Sequence, residues 1–272
     1  MRQVKAIMCD VDGTLLTDEH VVSPLTVEAI KKVREKGILF GLATGRDVKS
    51  VKALLKEWGL DGLIDSIVGT GGAEISDFVL GVEKESYPLE GELIHEIISH
   101  YQDMDVNFAV PYDGILYVPK DDGLIQMLSR DDQIPYQVVD FDKFLTEPRP
   151  KVMIVCQPSL MEAVIERSQT FQNGKYKSAA LKTASILFEY MDPRVNKTRG
   201  LNQIAELHGF SMEELCTIGD ADNDYDMTLH AGLGVVMGNG SEKTKSVADY
   251  ITDDNNHDGI WKFINQHILG EE

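Results

Sequence analysis

Apolar positions in the first part of the chain come in short runs separated by helical patterns. Residues 4–9 form an apolar-rich run of strand length. Ser23-Pro24 then supplies an N-cap and a proline at the first helical position, and Leu25, Ala29, Ile30 and Val33 form an apolar stripe that Gly37 ends. Residues 38–43 read as the next strand, 48–58 as a helix closed by Gly59, and 66–69 as a third strand running into Gly69-Thr70-Gly71-Gly72. Strands alternating with helices in this way predict a parallel sheet wound with crossover helices.

From about Val82 to Phe188 the pattern changes. Period-two stretches at 115–118 and 151–156 are interleaved with helices at 92–101 and 160–171, which predicts a separate α+β unit. The βα rhythm then resumes with a helix at 198–208, a Ser211/Glu214 capping box, a strand at 215–218, a helix at 224–230 and a strand at 234–237. The expected organisation is a core made of 1–81 and 189–272 with 82–188 inserted. The chain shows no internal repeat, and Asp253-Asp254-Asn255-Asn256 reads as a polar loop.

Length fits this picture, since 272 residues allow one or two domains and a hydrophobic share of 43% supplies their cores. Charge restricts the function. With 26 Lys and Arg against 45 Asp and Glu, the formal net charge is −19, which repels nucleic acid and anionic membranes. A phosphorylated substrate then requires a locally cationic site, built from a metal or from a few placed Lys and Arg. Cys9, Cys156 and Cys216 lie in apolar stretches without metal-ligand spacing and read as buried thiols in a reducing compartment. The first ten residues carry too short an apolar run for a signal peptide, and no segment approaches the ~18 apolar residues of a membrane span. The expected location is the cytoplasm.

The first strand ends in Asp10-Val11-Asp12-Gly13-Thr14, so two carboxylates emerge at the carboxyl edge of a parallel sheet, where open α/β folds bind ligands. Strand alternation puts both on one side. Two carboxylates about 4 Å apart repel by roughly 4 kcal/mol at an effective dielectric near 20, so an ionised pair calls for a cation, and hard oxygen ligands favour Mg2+. The plainer reading is a turn that uses Asp and Gly for backbone geometry. A second acidic turn, Gly219-Asp220-Ala221-Asp222-Asn223-Asp224-Tyr225-Asp226, follows the strand at 215–218. Asp222 and Asp226 read as solvated surface, whereas Asp220 and Asp224 match the first strand end in placement. After the second strand, Thr44-Gly45-Arg46 offers a hydroxyl, an unobstructed backbone and a helix N-terminus to a phosphate. Thr44-Gly45 also reads as a plain N-cap, Arg46 as a surface residue, and Lys197 as one solvated lysine beside Arg194 and Arg199.

In this order the four pieces resemble the haloacid dehalogenase (HAD) superfamily of aspartyl phosphohydrolases. Asp10-Val11-Asp12-Gly13-Thr14 is similar to its first motif, Thr44-Gly45-Arg46 to its second, Lys197 to its third, and Gly219-Asp220 through Asn223-Asp224 to its fourth. The insertion and the closing Asn256-His257-Asp258-Gly259-Ile260 resemble the Cof-type subfamily with an α/β cap. Two departures stand out: Gly71-Gly72-Ala73 replaces the frequent Asn-Gly-Ala, and Lys197 is followed by Thr198-Arg199-Gly200 instead of Lys-Gly.

The resemblance implies a Rossmann-like, doubly wound α/β core with an inserted cap that selects the substrate and excludes water. It makes Asp10 the nucleophile that forms an aspartyl-phosphate, and Asp12 the general acid and base. Mg2+ is implied at Asp10, the backbone carbonyl of Asp12 and Asp220. Lys197, Thr44, Gly45, Arg46 and Asn223 are implied on the phosphate, and Asp224 on Lys197 or a metal-bound water. The implied activity is a phosphatase acting on a small phosphorylated metabolite such as a sugar phosphate. A phosphomutase and a non-catalytic sugar-phosphate binder are the alternatives. Tyr112, Asp113 and Tyr117 are cap candidates for substrate contact, with a core or rim role as the plainer reading. Oligomeric state is not legible in the sequence.

Overall fold

The computed structural model describes residues 4–270. It divides them into two units, one formed by the chain up to Lys84 together with the chain from Asn196 onward, the other by Glu85–Val195.

In the first unit β1 (Ala6–Cys9), β2 (Leu39–Ala43) and β3 (Ser66–Gly69) run parallel, joined by α1 (Pro24–Glu35) and α2 (Val48–Leu54). The Ser23 hydroxyl accepts from the Leu25 amide, as an N-cap should. Leu25 itself is 38% exposed, and Thr26 takes the inward position expected of it. With the helix starting at Pro24, the face that turns inward is Thr26, Ala29, Ile30 and Val33, an i, i+3, i+4, i+7 set. Regular helix in α2 stops at Leu54, short of the expected Trp58, and turns carry the chain to Gly59. The chain next reverses into β4 (Glu74–Asp77), antiparallel to β3, and β5 (Val82–Glu85) forms the sheet edge.

The second unit contains α3 (Gly91–His100), β6 (Asn107–Tyr112), β7 (Ile115–Val118), α4 (Gly123–Asp131), β8 (Tyr136–Val138) and α5 (Phe141–Phe144). It continues with β9 (Val152–Val155), α6 (Met161–Ser168), β10 (Ala179–Ala184) and β11 (Leu187–Met191). The strands pair in the order β10-β11-β9-β6-β7-β8, antiparallel except for β7 with β8. Alternation along β9 feeds two cores: Val152 and Ile154 pack with Ile94 and Val164, while Met153 and Val155 pack with Ile125 and Leu128. Asp113 and Gly114, with φ of 55° and 79°, make the two-residue turn between β6 and β7. Tyr117 stacks on Phe144 at 4.3 Å and Tyr112 lies 4.9 Å from the Arg149 guanidinium carbon, so both have packing partners inside this unit.

The division falls at 84/85 and 195/196, where the sequence pattern placed it at 81/82 and 188/189. At the first point β5 carries the core sheet three residues further. At the second, β11 runs on to Met191 between β9 and β10, and Glu189 is tied to Lys151 at 2.9 Å and to Thr183 at 2.9 Å. A strand change of partner is invisible to periodicity.

The core resumes with α7 (Lys197–His208), β12 (Leu215–Gly219), α8 (Tyr225–His230), β13 (Leu233–Val236), α9 (Glu242–Lys245), β14 (Tyr250–Ile251) and α10 (Gly259–Phe263). Among the described residues its sheet has eight strands in the order β14-β13-β12-β1-β2-β3-β4-β5, parallel from β14 through β3. Both faces are covered: Ile7, Phe40 and Leu42 pack with Ile30 and Val33 of α1, and Ala6, Met8 and Val68 with Leu201 and Ile204 of α7. This is a doubly wound, Rossmann-like α/β core. The three cysteines are free and buried, and no helix among the described residues is long and apolar enough to cross a membrane.

Inside the second unit the Tyr101 and Tyr190 hydroxyls share a 2.8 Å hydrogen bond in a site from which water is excluded. Tyr101→Phe strands the Tyr190 hydroxyl, and thermal or denaturant unfolding is expected to show a loss of about 1 kcal/mol. An unchanged midpoint would mean that Tyr190 finds another partner.

Candidate active site

The sheet order sets β12, β1, β2 and β3 side by side, so the loops leaving their carboxyl ends converge on one edge. Asp10 follows β1, and its amide is held by the Ile218 carbonyl at 2.8 Å. Asp220 follows β12, Thr44 follows β2, and the turn Thr70–Gly72 follows β3.

Past Asp10 the strand geometry breaks. Gly13 takes φ +79°, and a Cβ there would lie 2.7 Å from Asp220 Oδ2. Only glycine lets the first loop come this close to the Asp220 carboxylate. The break also ends the alternation expected to set Asp10 and Asp12 on one side. The Asp10 side chain is 8% exposed within the cluster, whereas Asp12 is 51% exposed and turned to Arg46. Arg46, expected on a phosphate, instead holds Asp12 bidentately, with Nε at 2.9 Å and a terminal nitrogen at 2.7 Å. Trp58 backs the guanidinium at 5.9 Å.

Lys197 opens α7, capped by Asn196, whose side chain accepts from the Arg199 amide. The helix can start there because Gly72, at φ +111°, lies against it. A Cβ on Gly72 would sit 2.0 Å from the Asn196 carbonyl oxygen. The buried Lys197 ammonium reaches Asp10 Oδ1 at 2.5 Å and Asp224 Oδ1 at 2.6 Å. The other Asp224 oxygen accepts from the Asp220 and Ala221 amides at 2.9 and 3.0 Å, so that carboxylate is committed on both sides. Asp224 therefore orients Lys197 and the Asp220 turn.

Three carboxylates, Asp10, Asp220 and Asp224, place oxygens within 4.8 Å of one another, and one ammonium faces them. Burial drives the Asp10 carboxyl well above the usual aspartate range; Lys197 pulls it back, and Asp224 and Asp220 add to the rise. Asp220 is pushed up to about 6, chiefly by burial, against the 2.6 Å hydrogen bond from the Thr14 hydroxyl. For Lys197 burial acts downward, but Asp10 and Asp224 outweigh it and hold the ammonium above its ordinary value. The excess negative charge and the hard oxygen donors suit a divalent cation such as Mg2+.

Around this cluster stand groups suited to an anion. Thr44 is buried, its hydroxyl accepts from the Arg46 amide at 3.1 Å, and its own proton remains for an acceptor. A Cβ on Gly45 would meet no protein atom within 4 Å, so the space before that residue is open. Asn223 has its side-chain oxygen buried without a partner among the described residues. Asp222 takes the Ser241 hydroxyl at 2.7 Å on the surface, and Asp226 is exposed, as expected for solvated acids.

Sequence reasoning missed the supports. Glu74 accepts from the Val48 amide and the Thr70 hydroxyl, each at 2.8 Å, and so ties the turn after β3 to the start of α2. The Thr70 and Gly71 amides bond the Arg46 and Thr44 carbonyls at 2.7 and 2.9 Å. Asn239 and Asn255, in polar turns without a distinguishing signal, bond the loop that leaves β1.

Comparison with known proteins accords with this geometry. The haloacid dehalogenase-like hydrolase family matches residues 7–264. A 5-amino-6-(5-phospho-D-ribitylamino)uracil phosphatase of Bacillus subtilis is 26% identical, over 98% of this chain and 99% of its own. A haloacid dehalogenase-like hydrolase from Bacteroides thetaiotaomicron has TM-score 0.87 at 25% identity, covering 97% of this chain and 99% of its own. A phosphatase of the haloalkanoate superfamily from the same organism has TM-score 0.79 at 26% identity, covering 97% and 95%. The chain belongs to the haloacid dehalogenase-like hydrolase family, and within it is a phosphatase.

Removing the ammonium leaves buried carboxylates uncompensated. Lys197→Met is expected to cost about 3–5 kcal/mol in metal-free unfolding, whereas Asp10→Asn, nearly isosteric and one charge fewer, keeps or raises stability. Equal losses in the two variants would contradict this charge balance.

Proposed function

We propose that the protein is a Mg2+-dependent phosphatase that hydrolyses small phosphomonoesters, sugar phosphates or similar metabolites, through an aspartyl-phosphate on Asp10. The observation that carries the reading is the imbalance of three carboxylates facing the single Lys197 ammonium. The name of the Bacillus subtilis relative, whose substrate is a phosphorylated ribityl compound, supports the substrate class.

Asp10, Asp220 and the Asp12 carbonyl would hold the metal. When bound, Mg2+ neutralises charge on the phosphoryl oxygens and lets an anionic nucleophile approach. Lys197 holds the same oxygens beside Asp10, and Thr44, the Gly45 amide and Asn223 bond the rest. The Asp10 carboxylate attacks phosphorus, the ester P–O bond breaks, and Asp12 gives its proton to the departing alkoxide. Water then attacks phosphorus, Asp12 takes the water proton, and inorganic phosphate leaves with Asp10 restored. In this reading Arg46 serves Asp12. Its bidentate contact fixes where the Asp12 carboxyl points.

Chelation is expected to abolish turnover and Mg2+ to restore it. Metal and proton compete for Asp220, so Mg2+ affinity should rise with pH through about 6. The sign follows from the raised carboxyl. In the metal-free protein its contribution to stability is present below the unfolded value near 4 and fades as pH rises through about 6, while Mg2+ stabilises increasingly over the same window. Melting curves with and without Mg2+ between pH 5 and 7.5 measure both trends, and full activity in chelator would refute the metal requirement.

The double role of Asp12 predicts a dependence on the leaving group. Asp12→Ala should slow phosphoenzyme formation from an alkyl phosphate by about 10²–10⁴-fold. With para-nitrophenyl phosphate, whose leaving group needs no proton, formation should suffer far less and phosphoenzyme should accumulate. Single-turnover trapping with both esters decides this, and equal slowing would reassign Asp12 to metal placement or turn geometry.

A further inference from the structure

The two loops that carry Asp10 and Asp220 lie far apart in sequence, and the turn after β13 touches both. The Asn239 side-chain amide donates to the Gly13 carbonyl at 2.8 Å, and its oxygen accepts from the Asn255 amide at 3.2 Å. Two residues on, the Ser241 amide donates to the Asp220 carbonyl at 2.8 Å. The ring closes on the far side, where the Thr14 hydroxyl donates to Asp220 Oδ1 at 2.6 Å. Asn255 adds a second hold on the first loop, its side chain donating to the Leu16 carbonyl at 3.0 Å.

We propose that Asn239 is a positioning residue for the metal site: by pinning the peptide after Gly13 it fixes the spacing between the first loop and Asp220. This rests on the Mg2+-dependent reading above. Without the bond, the Gly13-Thr14 peptide can rotate, which frees the Thr14 hydroxyl from Asp220 and lets the Asp12 peptide before it turn. Gly13 has no side chain to resist this, and at φ +79° it already occupies backbone space open to glycine. Among the described residues the Asn239 side chain bonds the Gly13 carbonyl and the Asn255 amide and none of the three cluster carboxylates, so its link to the first loop runs through Gly13. It is itself exposed, so its truncation opens no cavity in the core.

Asn239→Ala and Asn239→Asp provide the test. The second is isosteric and keeps the acceptor for the Asn255 amide, but its carboxylate cannot donate to the Gly13 carbonyl. Both variants are expected to bind Mg2+ about 10–100-fold more weakly in calorimetric titration, and to lose most of the Mg2+-induced rise in melting temperature. Metal-free melting should stay near the parent value, and kcat should recover at high Mg2+ with KM for the phosphoester little changed. Lower metal-free melting with unaltered Mg2+ affinity would show a merely structural bond and overturn the proposal. So would parent-like Mg2+ binding by Asn239→Asp. A parent protein that shows no Mg2+ binding would refute the metal reading itself, and the positioning role with it.

Discussion

Three carboxylates gathered around one buried ammonium are the constraint on which the site depends. An ionised group taken out of water costs several kcal/mol unless it is paired, and among the described residues the Lys197 ammonium pairs Asp10 and Asp224 but not Asp220. The remaining charge is met partly by hydrogen bonds, from Thr14 to Asp220 and from two backbone amides to Asp224. What those bonds leave unmatched is negative charge, which suits a divalent cation.

Bringing four loops to one point requires close backbone approach. The parallel order β12-β1-β2-β3 supplies the coarse placement, and the absence of a side chain at two positions supplies the fine one. Gly13 lets the first loop meet the Asp220 carboxylate, and Gly72 lets α7 begin where Lys197 can reach Asp10. The departure from Asn-Gly-Ala at Gly71-Gly72-Ala73 leaves this contact intact, because Gly72 is the residue on which the helix rests. Backbone bonds from Thr70 and Gly71 to the loop after β2 then join the second and third strand ends into one rigid rim.

The inserted unit obeys a different logic. Its mixed sheet packs against helices through alternate residues of the same strands, so its candidate contact residues are largely spoken for. Tyr117 stacks on Phe144 and Tyr112 meets Arg149, while Asp113 is held by the geometry of a two-residue turn. The carboxylate cluster belongs to the core unit, and among the described residues the inserted unit carries no part of it.

Much of this was legible in the sequence because it is local. Hydrophobic period, caps and glycine stops identify the strands and helices, and the acid-bearing turns announce themselves at strand ends. The errors have one source. Alternation placed Asp12 beside Asp10, but the chain leaves the strand at that point and a longer-range partner, Arg46, takes the side chain. Leu25 looked inward by spacing, yet the helix phase set by Pro24 turned Thr26 in. The inserted unit kept Glu189 because a strand joins the sheet in which its neighbours lie, which no one-dimensional period encodes. Asn239 and Asn255 carried no signal at all, since a polar turn residue looks the same whether it faces water or a carbonyl more than two hundred residues away. The sequence determined which groups could react; their distances, and so the charge they share, were decided only when the sheet brought them together.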